Sequence, residues 1–161
     1  YTLSLHDALP ISDRRGMATG MAIMGFGGGA LIATPLTNQL LGAFGAAMVI
    51  AGCFKADPSD GFPPGTPPGM GEISWHGMVH FAVAGLGFAC LVAACFVLGS
   101  WFARNGQASW AWFSRITSLV FAVTFLALGS GGAVAILAFT AAVVLVFAWL
   151  AAVSVKLYRS V

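Results

Sequence analysis

The amino-acid sequence predicts an all-α fold, a multi-pass transmembrane helical bundle with four to five spans. Hydrophobic residues make up 59% of the 161-residue chain and charged residues only 7%, against about 25% in a soluble domain. The charged residues are clustered and leave three uncharged windows, at 16–54, 73–103 and 116–155. Each window exceeds the roughly 20 apolar residues that cross a bilayer. Because the windows are continuously apolar and lack the alternation of barrel strands, helices are predicted.

The first segment, residues 1–11, reads YTLSLHDALPI. It resembles the in-frame translation of a common sequencing-library adapter, and all of its residues agree with the adapter codons. We therefore predict that this segment is an artefact and exclude it from fold and function. The alternative is a native amphipathic tail. The adapter interpretation implies a chain truncated at its start.

The next segment, residues 12–45, begins with the charged cluster Asp13–Arg15 and continues into a glycine-rich apolar run. Four glycines form two pairs that are spaced for close helix packing: Gly16 with Gly20, and Gly25 with Gly29. A phosphate-binding glycine loop is the alternative, but it requires a preceding strand that the sequence lacks. The stretch DRRGMATG and the run after it resemble the oxalate/formate antiporter-like branch of the major facilitator superfamily. That resemblance implies a fragment of a transporter.

Pro35, together with the polar residues around it, predicts an interruption of this first helix. A second apolar run follows at Leu40–Phe54. At 1.5 Å per residue it spans roughly 22 Å, which is short for a bilayer. A re-entrant or interfacial segment is therefore one interpretation of this run.

The segment 55–75, KADPSDGFPPGTPPGMGEISW, is predicted to be a loop. Its Asp-Pro, Asp-Gly and Pro-Gly pairs are turn signals, and four prolines within residues 63–68 exclude a helix. Asp57 and Asp60 are expected to shape turns by accepting hydrogen bonds from their own downstream backbone.

Three further spans are predicted after this loop: Gly77–Phe102, Ile116–Leu128 and Ala133–Val155. The second of these is short for a bilayer unless it begins near Trp112. The first two are separated by a short loop at 103–115 with tryptophans at its edges, as expected at a membrane interface. The last two are joined by the glycine-rich link 129–132.

Two stretches carry a second resemblance: ADPSDGFPPGTP at Ala56–Pro67 and WHGMVHF at Trp75–Phe81. They are similar to a bacterial membrane family called domain of unknown function 998. The resemblance covers residues 46–161 and implies a membrane domain without a known activity, here lacking its first helices.

The distribution of Lys and Arg predicts the orientation. Loop 103–115 and the C-terminus are expected in the cytoplasm, which places loop 55–75 outside. Arg14 and Arg15 should also lie inside, so an odd number of crossings must separate them from Lys55, yet two apolar runs lie between. One explanation is that two unrelated sequences are joined near residues 44–47. The other is that Leu40–Phe54 is re-entrant or interfacial.

The candidate chemistry lies at the loop and the start of the following helix. His76 and His80 are four residues apart and share a helix face, and Asp57 and Asp60 lie on the same side of the membrane. Histidines and carboxylates can bind zinc, which activates water for hydrolysis. His76 and His80 are the candidate metal ligands, and all four residues are candidate catalytic groups. A structural or loop-anchoring role is the alternative. Zinc in the purified protein, lost in His80→Ala, would support the metal hypothesis.

Three functions therefore remain open. The first is a structural, sensing or partner-binding membrane domain of the bacterial inner membrane, without a cofactor. The others are a transporter fragment and a membrane-embedded metal-dependent hydrolase, so enzyme activity is the less favoured alternative. The expected partners are the lipid bilayer and other membrane helices or a second copy of the chain. The net charge of +2 gives no indication of nucleic-acid binding.

Overall fold

The structure, a computed structural model, describes residues 32–58, 63–67, 69, 71–130 and 132–159. These residues form four helices: α1 (Ile32–Cys53), α2 (Trp75–Arg104), α3 (Ala108–Ala127, continued by a 3-10 turn at Leu128–Ser130) and α4 (Ala133–Tyr158). By length and composition, each is able to cross a membrane. The described part of the chain contains no strand. The predicted all-α, multi-pass transmembrane bundle is confirmed.

The four helices form a ring in which sequence neighbours pack side by side. Phe44 of α1 contacts Phe88 of α2 and Phe147 of α4, at ring-centroid distances of 6.4 and 6.5 Å. Helix α3 packs between α2 and α4. Because the chain reverses direction between successive helices, α1 ends and α2 begins at one end of the bundle, which we call the loop end. The opposite end, where α2 and α4 finish at Arg104 and Tyr158, is called the basic end.

The core combines an aromatic cluster with a close approach of two helices. Phe88 lies at the centre of the cluster, 5.1 Å from both Phe121 and Phe125. At Gly87, an added Cβ would lie 2.7 Å from the Cβ of Ala47, so α1 and α2 approach each other closely there. The glycine pairs predicted for helix packing, Gly16, Gly20, Gly25 and Gly29, lie outside the described residues.

The predicted interruption at Pro35 is wrong, because α1 is a single helix from Ile32 to Cys53. The run Leu40–Phe54 therefore belongs, up to Cys53, to a helix that is long and apolar enough to cross a membrane. Two polar residues of α1, Asn38 and Gln39, lie toward the basic end of the bundle and are exposed. Side chains near a helix end can extend to the membrane interface, so they do not require the helix to break. The number of crossings between Arg15 and Lys55 stays a prediction, because residues 12–31 lie outside the described part of the chain.

The predicted loop at 103–115 is also shorter than expected, since α3 begins at Ala108. Only residues 105–107 connect the two helices. Asn105 donates from its side-chain amide to the carbonyl of Trp101 (2.7 Å), and Gly106 adopts a φ of +70°. Arg115 therefore lies within α3, where its guanidinium is 5.9 Å from the ring of Trp112. A helix that starts with two tryptophans can begin in the interface, before the continuously apolar window.

Candidate functional site

The loop end is organised around the carboxylate of Asp57. Its Oδ2 accepts a hydrogen bond from the backbone N–H of Ser74 (2.8 Å), and its Oδ1 accepts one from the Ser74 hydroxyl. Ser74 is the N-cap of α2, and its Oγ accepts from the backbone N–H of Gly77 (3.1 Å). One loop carboxylate thus fixes the residue that caps the next helix. We call Asp57, Ser74 and Gly77 the Asp57 clamp.

Gly77 completes the clamp because it has no side chain. A Cβ at this position would overlap both Oδ2 and Cγ of Asp57. Gly77 is buried although it lies in the first turn of α2. The close approach of the carboxylate to the helix start therefore depends on glycine at this position.

His80 fixes the end of α1 to α2. Its Nδ1 lies 2.9 Å from the carbonyl oxygen of Ala51 and 3.0 Å from that of Phe54. Carbonyl oxygens only accept hydrogen bonds, so Nδ1 carries the proton and donates to both. Carbonyls at a helix C-terminus lack the usual partner within the helix. His80 donates to both of these carbonyls, and that of Ala51 also accepts from the backbone N–H of Phe54 (3.1 Å). The other ring nitrogen, Nε2, is the atom of His80 that is left for a ligand or a proton.

His76 occupies a different position, although it shares the first two turns of α2 with His80. Its exposed ring stacks on Trp75 with a centroid distance of 3.6 Å and lies 6.0 Å from the ring of Phe54. No cluster of three or more metal-binding side chains occurs among the described residues. Asp60 lies outside the described residues, so the metal and catalytic hypotheses stay predictions.

The expected turn-shaping role of Asp57 stays a prediction, because residues 59–62, just downstream, lie outside the described residues. Within the described residues, Asp57 accepts two hydrogen bonds from Ser74, which is 17 residues further along the chain. A turn is formed within the proline-rich segment by Thr66, whose backbone N–H (3.1 Å) and hydroxyl (2.7 Å) both donate to the carbonyl of Pro63. Gly65 within it has a φ of +98°. The turn predicted at Pro64-Gly65 is confirmed, and Asp57 has a long-range contact from the same loop.

A cavity of about 300 Å³ lies at the loop end, beside the clamp. We call it the loop-end cavity. Its lining is mostly apolar and comes from the loop, from α2 and from the end of α3: Asp57, Pro58, Gly71, Ile73, Phe81, Phe125, Leu128 and Gly129. Asp57 supplies the only ionisable side chain among these lining residues.

The sequence analysis missed a buried polar pair in the core. The Ser114 hydroxyl of α3 accepts from the indole N–H of Trp149 on α4 (2.9 Å) and donates to the carbonyl of Trp110 (2.9 Å). Both Ser114 and Trp149 are fully buried. The sequence signal that could have indicated this pair is a serine in an apolar run, because such a residue must find a hydrogen-bond partner inside the membrane.

The helices and the clamped loop define the class of this molecule: an α-helical, multi-pass integral membrane protein with its loop fixed to the bundle by hydrogen-bonded side chains. The chain belongs to a family described as protein of unknown function (DUF998), whose model matches residues 8–156. No match was found among curated proteins or among solved structures.

The family match confirms the resemblance that the loop and WHGMVHF motifs carry. It also covers residues 12–45 and begins within residues 1–11. The comparisons give no support to the transporter resemblance of 12–45 or to the adapter interpretation of 1–11. Both, and the proposed join near residues 44–47, stay predictions.

Proposed function

We propose that this protein is a binding protein of the bacterial inner membrane, and that its loop-end cavity holds an amphiphilic molecule with a cationic group. The observation that carries this proposal is an apolar cavity whose described lining residues include one carboxylate, that of Asp57. Of the structural, sensing and binding roles expected from the sequence, this proposal selects binding and names a class of ligand. Ligand sites are commonly apolar, with a few fixed polar groups that orient the ligand.

The clamp supports the choice of a cationic ligand. Two hydrogen bonds from Ser74 hold the carboxylate in one orientation but leave its charge in place. Asp57 makes no ion pair with any residue that the structure describes. A carboxylate beside an apolar surface attracts a cation more strongly than it would in water. An alkyl chain would fill the space between Ile73, Phe81 and Leu128, and its ammonium group would lie at Asp57.

The distribution of charges supports an orientation with the loop end outside. The described cationic residues other than Lys55 lie at or near the basic end: Arg104, Arg115, Lys156 and Arg159. Positive residues are enriched in cytoplasmic segments. In the proposed orientation the cavity therefore opens toward the external side of the membrane, where it would receive ligand from the outer leaflet or from the external solution.

The test is saturation binding of a radiolabelled alkyltrimethylammonium ion to the protein in phosphatidylcholine nanodiscs. Gly129→Leu fills the cavity, and a Cβ there meets no atom within 4 Å. Gly132→Leu is the matched control, since Gly132 has the same open surroundings but does not line the cavity. We expect saturable binding that Gly129→Leu abolishes and Gly132→Leu retains. Equal binding by both variants would refute the proposal.

The charge of Asp57 is tested separately with an alkyl sulfate of the same chain length. The wild type is expected to prefer the ammonium compound, and Asp57→Asn is expected to remove that preference because it keeps the shape but not the charge. A preference that persists in Asp57→Asn would show that the carboxylate does not select the ligand.

A further inference from the structure

A second cavity lies at the basic end, far from the loop. It is a groove of about 360 Å³ between α1 and α2, which we call the α1/α2 groove. Its apolar walls are formed by Ile32 and Leu36 of α1 and by Phe96 and Val97 of α2. Ser100 and Arg104 lie further along α2, toward the end of the bundle.

The groove changes from apolar to polar along the membrane normal. Phe96 and Arg104 are eight residues apart in one helix, which corresponds to roughly 12 Å. Ile32 is 70% exposed and Phe96 is 45% exposed, so other described residues leave both side chains largely uncovered. Trp101, which also lines the groove, is of a residue type that is enriched at membrane interfaces. A phospholipid changes from apolar to polar in the same direction, because its acyl chains lie deep in the membrane and its charged headgroup lies at the interface.

The charge at the polar end of the groove is positive. Arg104 is exposed and makes no ion pair with a described residue. The carboxylate side chains that the structure describes, Asp57 and Glu72, both belong to the loop end. A guanidinium presents a planar set of N–H donors that matches a phosphate, and the Ser100 hydroxyl adds another donor one turn away.

We propose that the α1/α2 groove binds a phospholipid with an anionic headgroup. Arg104 and Ser100 contact the phosphate, and Leu36, Phe96 and Val97 contact the acyl chain. Basic pockets between helices at the cytoplasmic side of a membrane are suited to anionic lipids. This site is separate from the loop-end cavity and does not depend on the function proposed for it.

The experiment replaces Phe96 with the photo-crosslinking residue p-benzoylphenylalanine in the full chain. The protein is placed in vesicles of phosphatidylcholine with a minor fraction of phosphatidylglycerol, and the lipid adducts are identified by mass spectrometry. We expect phosphatidylglycerol in the adduct to exceed its bulk fraction by about fivefold, the factor that corresponds to the ~1 kcal/mol contributed by one basic residue near an anionic surface.

Arg104→Gln is expected to return the adduct to the bulk lipid ratio. Arg115→Gln is the matched control, because Arg115 lies toward the same end but does not line the groove, and it should keep the enrichment. An adduct at the bulk ratio in the otherwise wild-type protein would overturn the proposal. So would an adduct that joins position 96 to the chain segment preceding Ile32, since that segment would then occupy the groove.

Discussion

The structure of the Asp57 clamp depends on the identity of each of its three residues, Asp57, Ser74 and Gly77. The carboxylate reaches the start of α2 only because Gly77 leaves space for it, and it holds Ser74 in position to cap that helix. An ordinary helix-capping serine needs only its own helix. Here the cap is connected to a loop residue 17 positions earlier, so folding of the loop and of the helix start are coupled.

This coupling predicts that Gly77→Ala is destabilising only while Asp57 is present. The added methyl group would collide with the carboxylate, and overpacking of this kind costs about 1–3 kcal/mol of unfolding free energy. In an Asp57→Ala background the collision disappears. Alanine should then be neutral or better, because it is favoured over glycine in a helix by up to about 1 kcal/mol.

The measurement is a double-mutant cycle in detergent, with unfolding followed by circular dichroism. Independent sites would give additive effects. If Gly77→Ala lowers stability equally with and without Asp57, the carboxylate does not lie against Gly77.

Asp57, His76 and His80 could be named from the sequence, but the partners of Asp57 and His80 could not. Turn signals and prolines identified the loop, and the histidine spacing placed His76 and His80 on one helix face. The hydrogen bonds of Asp57 and His80 depend instead on the path by which the loop returns to the bundle. That path is set by contacts 17 to 29 residues apart, which local patterns do not contain.

At the level of helices, α3 and α4 are joined by a hydrogen bond buried in an apolar core. The Trp149 indole donates to the Ser114 hydroxyl. That hydroxyl in turn donates to the carbonyl of Trp110. The serine therefore uses its donor and one acceptor site, and the indole has its only donor satisfied. Such a pair fixes the rotation of α4 against α3, which apolar packing alone specifies less strictly.

We predict a coupling between Trp149→Phe and Ser114→Ala of about 0.6 kcal/mol and at most about 1.7 kcal/mol, the range found for hydrogen bonds between membrane helices. Ser154→Ala is the control, because its exposed hydroxyl only bonds back to Leu150 within the same helix. That variant should change stability by less than about 0.5 kcal/mol. Strict additivity of the two core substitutions would show that the hydrogen bond contributes nothing.

The contact between α1 and α2 gives another prediction at this scale. Gly87→Ala would place a methyl group 2.7 Å from Ala47, so the helices would have to separate, at a cost of about 1–3 kcal/mol. Gly85→Ala is the matched control on the same helix, because its nearest contact, with the Phe125 ring at 3.8 Å, is an ordinary one. Gly87→Ala should therefore unfold at a lower temperature than Gly85→Ala. Equal loss of stability in both would show that the approach of Gly87 to Ala47 is not the cause.

Helix existence was predictable because charge-free apolar windows leave few alternatives inside a bilayer. Helix limits were less predictable. Ile116 was expected to begin the third span, but α3 already begins at Ala108. Interfacial residues such as Trp110 and Trp112 are compatible with either a loop or a helix, and packing against α2 decides between them.

For the whole molecule, an even number of crossings relates the two basic clusters around Arg104 and Lys156, so both lie at the same end. The described acidic residues lie at the other end. This separation of charge supports the proposed orientation, in which the basic end lies in the cytoplasm, because positive residues are enriched in cytoplasmic segments. Both proposed binding sites depend on it, because it assigns the loop-end cavity to the external leaflet and the α1/α2 groove to the cytoplasmic leaflet.

The orientation is tested by labelling single cysteines in intact cells with a membrane-impermeant maleimide. The background variant has Cys53→Ser, because the native Cys53 is exposed near the loop end. Glu72→Cys, in the exposed part of the loop, is expected to react in intact cells. Ala108→Cys, exposed at the start of α3, is expected to react only after the cells are permeabilised. The opposite pattern would show that the protein has the inverse orientation, with the loop-end cavity in the cytoplasmic leaflet and the α1/α2 groove in the external leaflet. Labelling of both positions in intact cells would mean that α2 does not cross the membrane, since α2 is the helix that separates them.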